Sequence, residues 1–209
     1  MARYTGPVCR MCRAEQRKLM LKGARCMSAK CPLDKKRGAP GKDPKARGGK
    51  KSEYGIQLAE KQKLRRMYGL LEKQFRLTYD KASRMPGVTG ENFIGLLERR
   101  LDNVIFRMGF ARTRREARQV VDHKHVLVNG KLVNIPSYLI KAGDVIEIKE
   151  KARSLQRYKD IVEVTGGRLV PEWMESDIEA LKGTIKNLPS REMIDVPVDE
   201  MLIVELYSK

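Results

Sequence analysis

Long apolar runs are missing from this chain of 209 residues. The longest, such as Met201 to Val204, fall far short of the ~20 residues needed to cross a bilayer. No segment resembles a signal peptide, so the expected location is cytoplasmic. Histidine is limited to His123 and His125, and cysteine to four residues, all between positions 9 and 31. The glycines of residues 38–49 are scattered among lysines with no helix start to cradle a phosphate, so no Walker motif is present. No nucleophile or metal-activated water completes an acid–base pair with the two histidines. These absences argue against an enzyme.

Acidic residues are also in deficit. Lys and Arg number 44 against 26 Asp and Glu, for a formal charge of +18. The excess is uneven: +12 over residues 1–50, +5 over 51–90, +3 over 91–150 and −2 over 151–209. That much like charge repels itself, and a large polyanion is the partner that makes the composition sensible. With no membrane segment, RNA is the expected polyanion, and surface polar contact or RNA contact is the expected role of His123 and His125.

Residues 32–52, PLDKKRGAPGKDPKARGGKKS, have almost nothing to bury and cannot offset the entropy of ordering their own backbone. They read as a linker or as a basic strap that orders on nucleic acid. Ser52 then caps a helix carrying Tyr54, Leu58, Leu64 and Tyr68, and a second helix between Gly69 and Gly87 carries Leu71, Phe75, Tyr79 and Ala82. Thr89 opens a third, predicted to run unbroken through Phe93, Leu97, Leu101, Val104, Ile105 and Met108 to Gly109. Thr113 and Glu116 have capping-box spacing, with Ala117, Val120 and Val121 facing inward and Arg114 and Arg118 on another face.

Beyond His125 the period changes to two. Asn129-Gly130 between two short apolar runs is a strong hairpin signal, because both turn positions favour positive φ. Val145 to Ile148 is a further strand after a turn at Ala142-Gly143-Asp144. Residues 154–164 look helical, Trp173 is a packing anchor, and Met201 to Tyr207 reads as a buried strand suited to protein contact.

Cys9-x2-Cys12 followed by Cys26-x4-Cys31 has the spacing of a structural metal site in a reducing compartment. The expectation is one zinc ion held by these four thiolates, an iron–sulfur cluster being the alternative. Arginines suit an RNA surface because a rigid donor fork matches phosphate and stacks on bases. Arg100, Arg107, Arg112, Arg114, Arg115, Arg118, Lys124 and Lys131 lie beside the last two helices and the hairpin. Arg3, Arg10, Arg13, Lys35, Lys36, Arg37, Lys50, Lys61, Lys63, Arg65 and Arg66 are the candidate RNA contacts of the arm, linker and first helix.

ERRLDNVIFRMG at residues 98–109, the Arg114 and Arg118 helix and VNGKLVNIPSY resemble the S-four-type RNA-binding module. MARYTGP, SEYGIQLAEKQKLRRMYG, GVTGENF and LIVELYS extend the similarity over nearly the whole chain, to the bacterial small-subunit ribosomal protein S-four family in its cysteine-bearing form. The resemblance implies an α+β fold: a mostly helical domain with an amino-terminal zinc-stapled arm, plus an inserted small helix-helix-hairpin module. The expected boundaries are arm and basic linker 1–52, helical domain 53–97 completed by 151–209, and module 98–150, with a helix, a Trp-anchored segment and a final strand in 151–209.

It implies a structural constituent of the small ribosomal subunit that binds the 5′ domain of small-subunit rRNA early in assembly and contributes to translational accuracy. Neighbouring ribosomal proteins, especially S-five, are implied partners, with the interface on the tail around Asp199, Glu200, Glu205 and Tyr207. Messenger RNA is a further implied partner through repression of the family's own messenger, and an RNA-modifying enzyme is the rival reading, since the module also occurs in such enzymes. The family implies zinc ligands at Cys9, Cys12, Cys26 and Cys31, and RNA-facing residues at Arg112, Arg114, Arg115, Arg118 and Lys124. The family's usual Pro-Pro-Gly-Gln-His-Gly linker element is replaced by GAPGKDPKARGGKK, which lacks the histidine.

Overall fold

The computed structural model describes residues 2–41, 49–50 and 52–208. In chain order these form α1 (Val8–Glu15), α2 (Glu53–Tyr68), α3 (Glu72–Ala82), α4 (Thr89–Glu98), α5 (Leu101–Arg107), α6 (Arg114–Asp122), β1 (Val126–Val128), β2 (Lys131–Leu132), β3 (Val145–Ile148), α7 (Glu150–Arg153), α8 (Gln156–Thr165), β4 (Met174–Asp177), β5 (Lys182–Ile185) and α9 (Glu200–Ser208). A short 3-10 turn at Gly23–Cys26 follows α1. No helix of the described residues is long and apolar enough to cross a membrane. The chain divides into one unit up to Gly90 and from Pro197 on, and a second from Glu91–Val196.

In the first unit the helix signals act locally. Ser52 Oγ accepts from the Gly55 N–H at 3.2 Å and starts α2. Gly69, at φ 67°, ends it in the left-handed conformation that a residue without Cβ adopts without strain. Leu64, Tyr68, Phe75, Tyr79 and Ala82 are buried, whereas Tyr54 of the expected stripe is exposed. The tail corrects a prediction: residues 201–207 lie in helix α9, not in a strand. Ile203 and Tyr207, four apart, supply the inward face. Ile203 is fully buried, and the Tyr207 ring centroid lies 4.6 Å from that of Tyr79. Glu205 accepts from Gln57 Nε2 at 2.9 Å. The apolar run Met201–Val204 carries no period of its own, and contact with α2 and α3 decides the outcome.

The second unit is a sheet of order β2-β1-β3-β5-β4, antiparallel throughout, with helices over its apolar side. Asn129 and Gly130 take φ of 50° and 74°, as their hairpin requires. Residues 151–209 were expected to complete the helical domain, and of these the stretch from Pro197 on does fall in the first unit. Before Pro197, instead, β5 pairs with β3, and β4 with β5. Trp173, Met174, Leu181 and Ile185 share one core with Leu101, Val104, Ile105, Val120 and Ile146. Gly183 permits this closeness, since a Cβ there would lie 2.7 Å from the Glu175 carbonyl oxygen.

The helix predicted from Thr89 to Gly109 is also corrected, because it breaks at Arg99–Arg100. The Leu101 and Asp102 N–H groups donate to the carbonyls of Tyr138 and Pro136 at 2.9 and 3.2 Å, and the Ile140 N–H donates to the Arg99 carbonyl at 3.0 Å. Those bonds replace the i→i−4 bonds that an unbroken helix would make.

Two buried carboxylates sit at this break. Asp102 accepts from Arg100 Nε and Nη2 at 3.1 and 2.8 Å, and Arg118 Nη1 of α6 lies 3.7 Å away. Glu98 accepts from Arg107 at 3.0 and 2.8 Å and from Asn103 Nδ2 at 2.7 Å. Asn103 Oδ1 in turn accepts from Arg114 Nε at 2.8 Å. Removing one partner of a buried ion pair leaves a desolvated charge without compensation, at a cost of about 3–5 kcal/mol. Asp102→Ala is therefore expected to lower the urea midpoint by that equivalent with little change in slope, and an unchanged midpoint would contradict the role given to Asp102.

Candidate nucleic-acid interface

The arginines predicted to face RNA divide by burial. Arg100 and Arg118 are 3% and 7% exposed and belong to the Asp102 cluster, while Lys61 and Lys63 are 8% and 5% exposed. Lys61 Nζ pairs with Glu72 at 2.8 Å and Lys63 Nζ with Glu60 at 3.2 Å. These four are corrected from surface contacts to interior ones. Arg3, Arg10, Lys35, Lys36, Arg37, Lys50, Arg112, Lys124 and Lys131 are exposed, and Arg13, Arg65, Arg66, Arg107, Arg114 and Arg115 are half-buried.

In the second unit the exposed cations gather around α6. Thr113 Oγ1 accepts from the Glu116 N–H at 3.2 Å and starts the helix. Glu116 reaches back to the Arg112 N–H at 2.9 Å and pairs with the Arg112 guanidinium at 3.0 Å. Burial raises the Glu116 carboxyl, but hydrogen bonds from Arg112 and the charges of Arg112 and Arg157 outweigh it and hold the group below its ordinary value. Glu116 thus stays ionised, fixing Arg112 at the helix start. Arg115 lies beside these residues on the first turn of α6.

Arg168, which no spacing in the sequence points to, sets this loop. Its Nη1 donates to the carbonyls of Phe106 and Ala111 at 2.6 and 3.0 Å, and Nη2 to that of Arg112 at 3.2 Å. The guanidiniums of Arg168 and Arg114 lie 4.5 and 4.6 Å from the Phe106 ring centroid. Burial, then the nearby charges of Arg114 and Arg107, lowers the Arg168 pKa.

His123 is exposed, whereas His125 Nδ1 is 2.8 Å from the Tyr158 hydroxyl. Burial, followed by the charges of His123, Arg157 and Lys149, lowers the His125 pKa. Burial pushes the Tyr158 phenol up to about 12. His125 is thereby a partly buried residue anchored to Tyr158. Of the pair expected for surface or RNA contact, His123 is exposed and His125 partly buried.

In the first unit, Gln16, Arg17, Lys18, Lys36 and Arg37 line an open recess of about 400 Å³. Arg17 was not among the predicted contacts. Gln16 and Lys36 both take positive φ, 54° and 51°, and turn the chain around this recess. Of the expected strap, residues 42–48 and Lys51 lie outside the described residues.

The zinc expectation is overturned. Cys9, Cys12, Cys26 and Cys31 are free thiols that border one small cavity of about 20 Å³. Among the described residues, however, no group of three or more His, Cys, Asp or Glu side chains is placed to hold a metal ion. A permitted spacing brings cysteines into one neighbourhood, but ligation needs every sulfur about 2.3 Å from a single point. Burial, then the nearby Cys26, Cys9 and Cys31, raises the Cys12 thiol, against a hydrogen bond from Leu19.

The arm is held by other contacts. Val8 and Leu19 are buried, Arg66 of α2 pairs with Glu15, Lys18 pairs with Asp34 at 2.8 Å, and Arg13 Nη1 donates to the Gly38 carbonyl at 3.4 Å.

Of the tail residues expected at a protein interface, Asp199 and Glu205 are exposed and Glu200 and Tyr207 half-buried. Tyr207 donates to Glu72 at 3.0 Å, and burial followed by the Glu72 charge pushes its phenol up.

Two sequence families match this chain: "Ribosomal protein S4/S9 N-terminal domain" over residues 3–98 and "S4 domain" over residues 99–146. The small ribosomal subunit protein uS4 of Natranaerobius thermophilus is 55% identical over the full length of both chains. That of Halothermothrix orenii is 53% identical, again over the full length of both. The protein of the same name from Lachnospira eligens is 70% identical over 162 residues, covering 78% of this chain and 82% of its own. With full-length identity above half, the chain belongs to the ribosomal protein S4 family.

Proposed function

We propose that the chain is a structural constituent of the small ribosomal subunit in the cytoplasm, that it binds the 5′ domain of small-subunit rRNA directly, and that it orders RNA without catalysing a reaction. The observation that carries this reading is its full-length similarity to proteins named small ribosomal subunit protein uS4. The charge of +18 supports it.

Exposed cations on the arm and around α6 displace counterions from the phosphate backbone, which supplies affinity without sequence information. Selectivity comes from placement. Glu116 and Arg168 fix the loop that presents Arg112 and Arg115, so a folded RNA junction matches their geometry at lower entropic cost than a flexible strand. Binding early would order that junction for later proteins and so nucleate assembly. Asp199 and the exposed side of α9 suit a neighbouring ribosomal protein, S-five being the one the resemblance implies, and that contact would carry the effect on accuracy. A structured messenger leader offers the same phosphate chemistry and would compete for the same surface.

Neutralising about six to ten phosphates costs about 10³ to 10⁵ in affinity between about 50 and about 200 mM salt. Filter binding of the full chain to a 5′-domain rRNA fragment is expected to show that steep dependence and a clear preference over random RNA. Affinity that ignores salt, or equals that for random RNA, would contradict the proposal. Lys124→Gln and Lys131→Gln are each expected to reduce the salt slope by about one while leaving the melting temperature unchanged. Arg118→Ala, from the buried cluster, is expected to lower the melting temperature instead.

A further inference from the structure

The first unit holds a cavity that neither the family match nor the phosphate-contact reading assigns. It lies where α1 meets the turn between α2 and α3. Its volume is about 210 Å³, below the ~300–1,000 Å³ of pockets for drug-sized ligands. That size suits one flat ring system.

Its walls are apolar. Met11 and Ala14 come from α1, and Leu70 and Leu71 from the turn. Tyr4 supplies an aromatic wall. Gly6 leaves room for that ring, since a Cβ at position 6 would lie 2.7 Å from the Tyr4 Cζ.

The rim is cationic. Arg10 is exposed at the opening and Arg65 is half-buried beside it. Arg65 Nε donates to Gln62 Oε1 at 2.9 Å and lies 3.5 Å from a Glu72 carboxylate oxygen, which together hold the guanidinium in place. Arg66, also on the lining, is tied to Glu15, and this joins α1 to α2 and keeps the cavity open. In the sequence, residues 1–50 carry +12.

An apolar slot with an aromatic wall beneath an arginine rim complements one chemistry: a planar heterocycle attached to phosphate. An apolar protein side chain would fill the slot but offer nothing to the exposed Arg10 at its opening. A paired helix would satisfy the rim but leave the slot empty. We infer that this cavity receives the base of a single nucleotide turned out of its stack in the bound RNA, with Arg10 and Arg65 on the adjoining phosphates. The inference rests on the RNA-binding reading above and adds to it a base-occupied site.

The test uses the full chain and the 5′-domain rRNA fragment. Ala14→Leu narrows the cavity, and Leu is nearly as good a helix former as Ala. It is expected to weaken binding about tenfold, the scale of one lost base–aromatic stack, with the salt slope and melting temperature unchanged. Tyr4→Phe should bind like the wild type, and Tyr4→Ala like Ala14→Leu. Dimethyl sulfate and kethoxal probing should find an unpaired base shielded in the wild-type complex and reactive again with Ala14→Leu.

Wild-type affinity in Ala14→Leu, or no base whose reactivity differs between the two complexes, overturns the inference and leaves the functional reading standing. Failure of the wild type to prefer the fragment over random RNA overturns both. Free AMP, GMP, CMP, UMP and GDP form the second arm. Micromolar binding of one of these, lost in Ala14→Leu while RNA affinity is unaffected, assigns the cavity to a soluble nucleotide and likewise overturns the inference.

Discussion

Two carboxylates buried at the break between α4 and α5, Glu98 and Asp102, hold together the arginine-rich part of the chain. A buried carboxylate is tolerated only where donors surround it. Here the donors are Arg100, Arg107 and, through Asn103, Arg114. The same residues that raise the positive charge of this segment therefore also build its interior. α6 cannot shift relative to α5 without separating Arg118 from Asp102 and Arg114 from Asn103.

From that constraint the rest of the second unit follows. With α6 fixed, Glu116 and Arg168 fix the loop before it, and Arg112 and Arg115 stand on a rigid base. Arg168 sits beyond α8, so the segment after the expected module boundary is part of what presents the surface. In the first unit the corresponding contacts are weaker and more exposed. The arm is attached to α2 by Glu15 and Arg66 and tied internally by Lys18 and Asp34, with no metal-holding group among the described residues. The burial of Val8 and Leu19 adds to these contacts.

What could be read in the sequence was local. The Ser52 and Thr113 caps, the Gly69 stop and the Asn129-Gly130 turn are short-range signals, and each acts where it was expected. What could not be read depends on partners distant in the chain. The break at Arg99–Arg100 is made by residues 136–140. The tail is helical because α2 and α3 face it, and β5 joins the sheet because Gly183 lets it approach Met108. Cysteine spacing indicated neighbourhood correctly but not convergence. For the candidate interface, residue type identified cations but not their burial. Arg100 and Arg112 look alike in the sequence, and only the position of Asp102 separates them. Arg168 gave no sign at all, since its partners are carbonyls far back in the chain.

The division of the arginines into builders and binders is the central claim, and arginine-selective modification by phenylglyoxal tests it most directly. Mass spectrometry of the folded chain, free and bound to the rRNA fragment, reads each site separately. Arg112 and Arg115 are expected to react in the free chain and to be shielded by RNA, while Arg100 and Arg118 stay unreactive in both. Reaction of Arg100 or Arg118 in the folded free chain as fast as that of Arg112, or no shielding of Arg112 and Arg115 by RNA, would contradict the account.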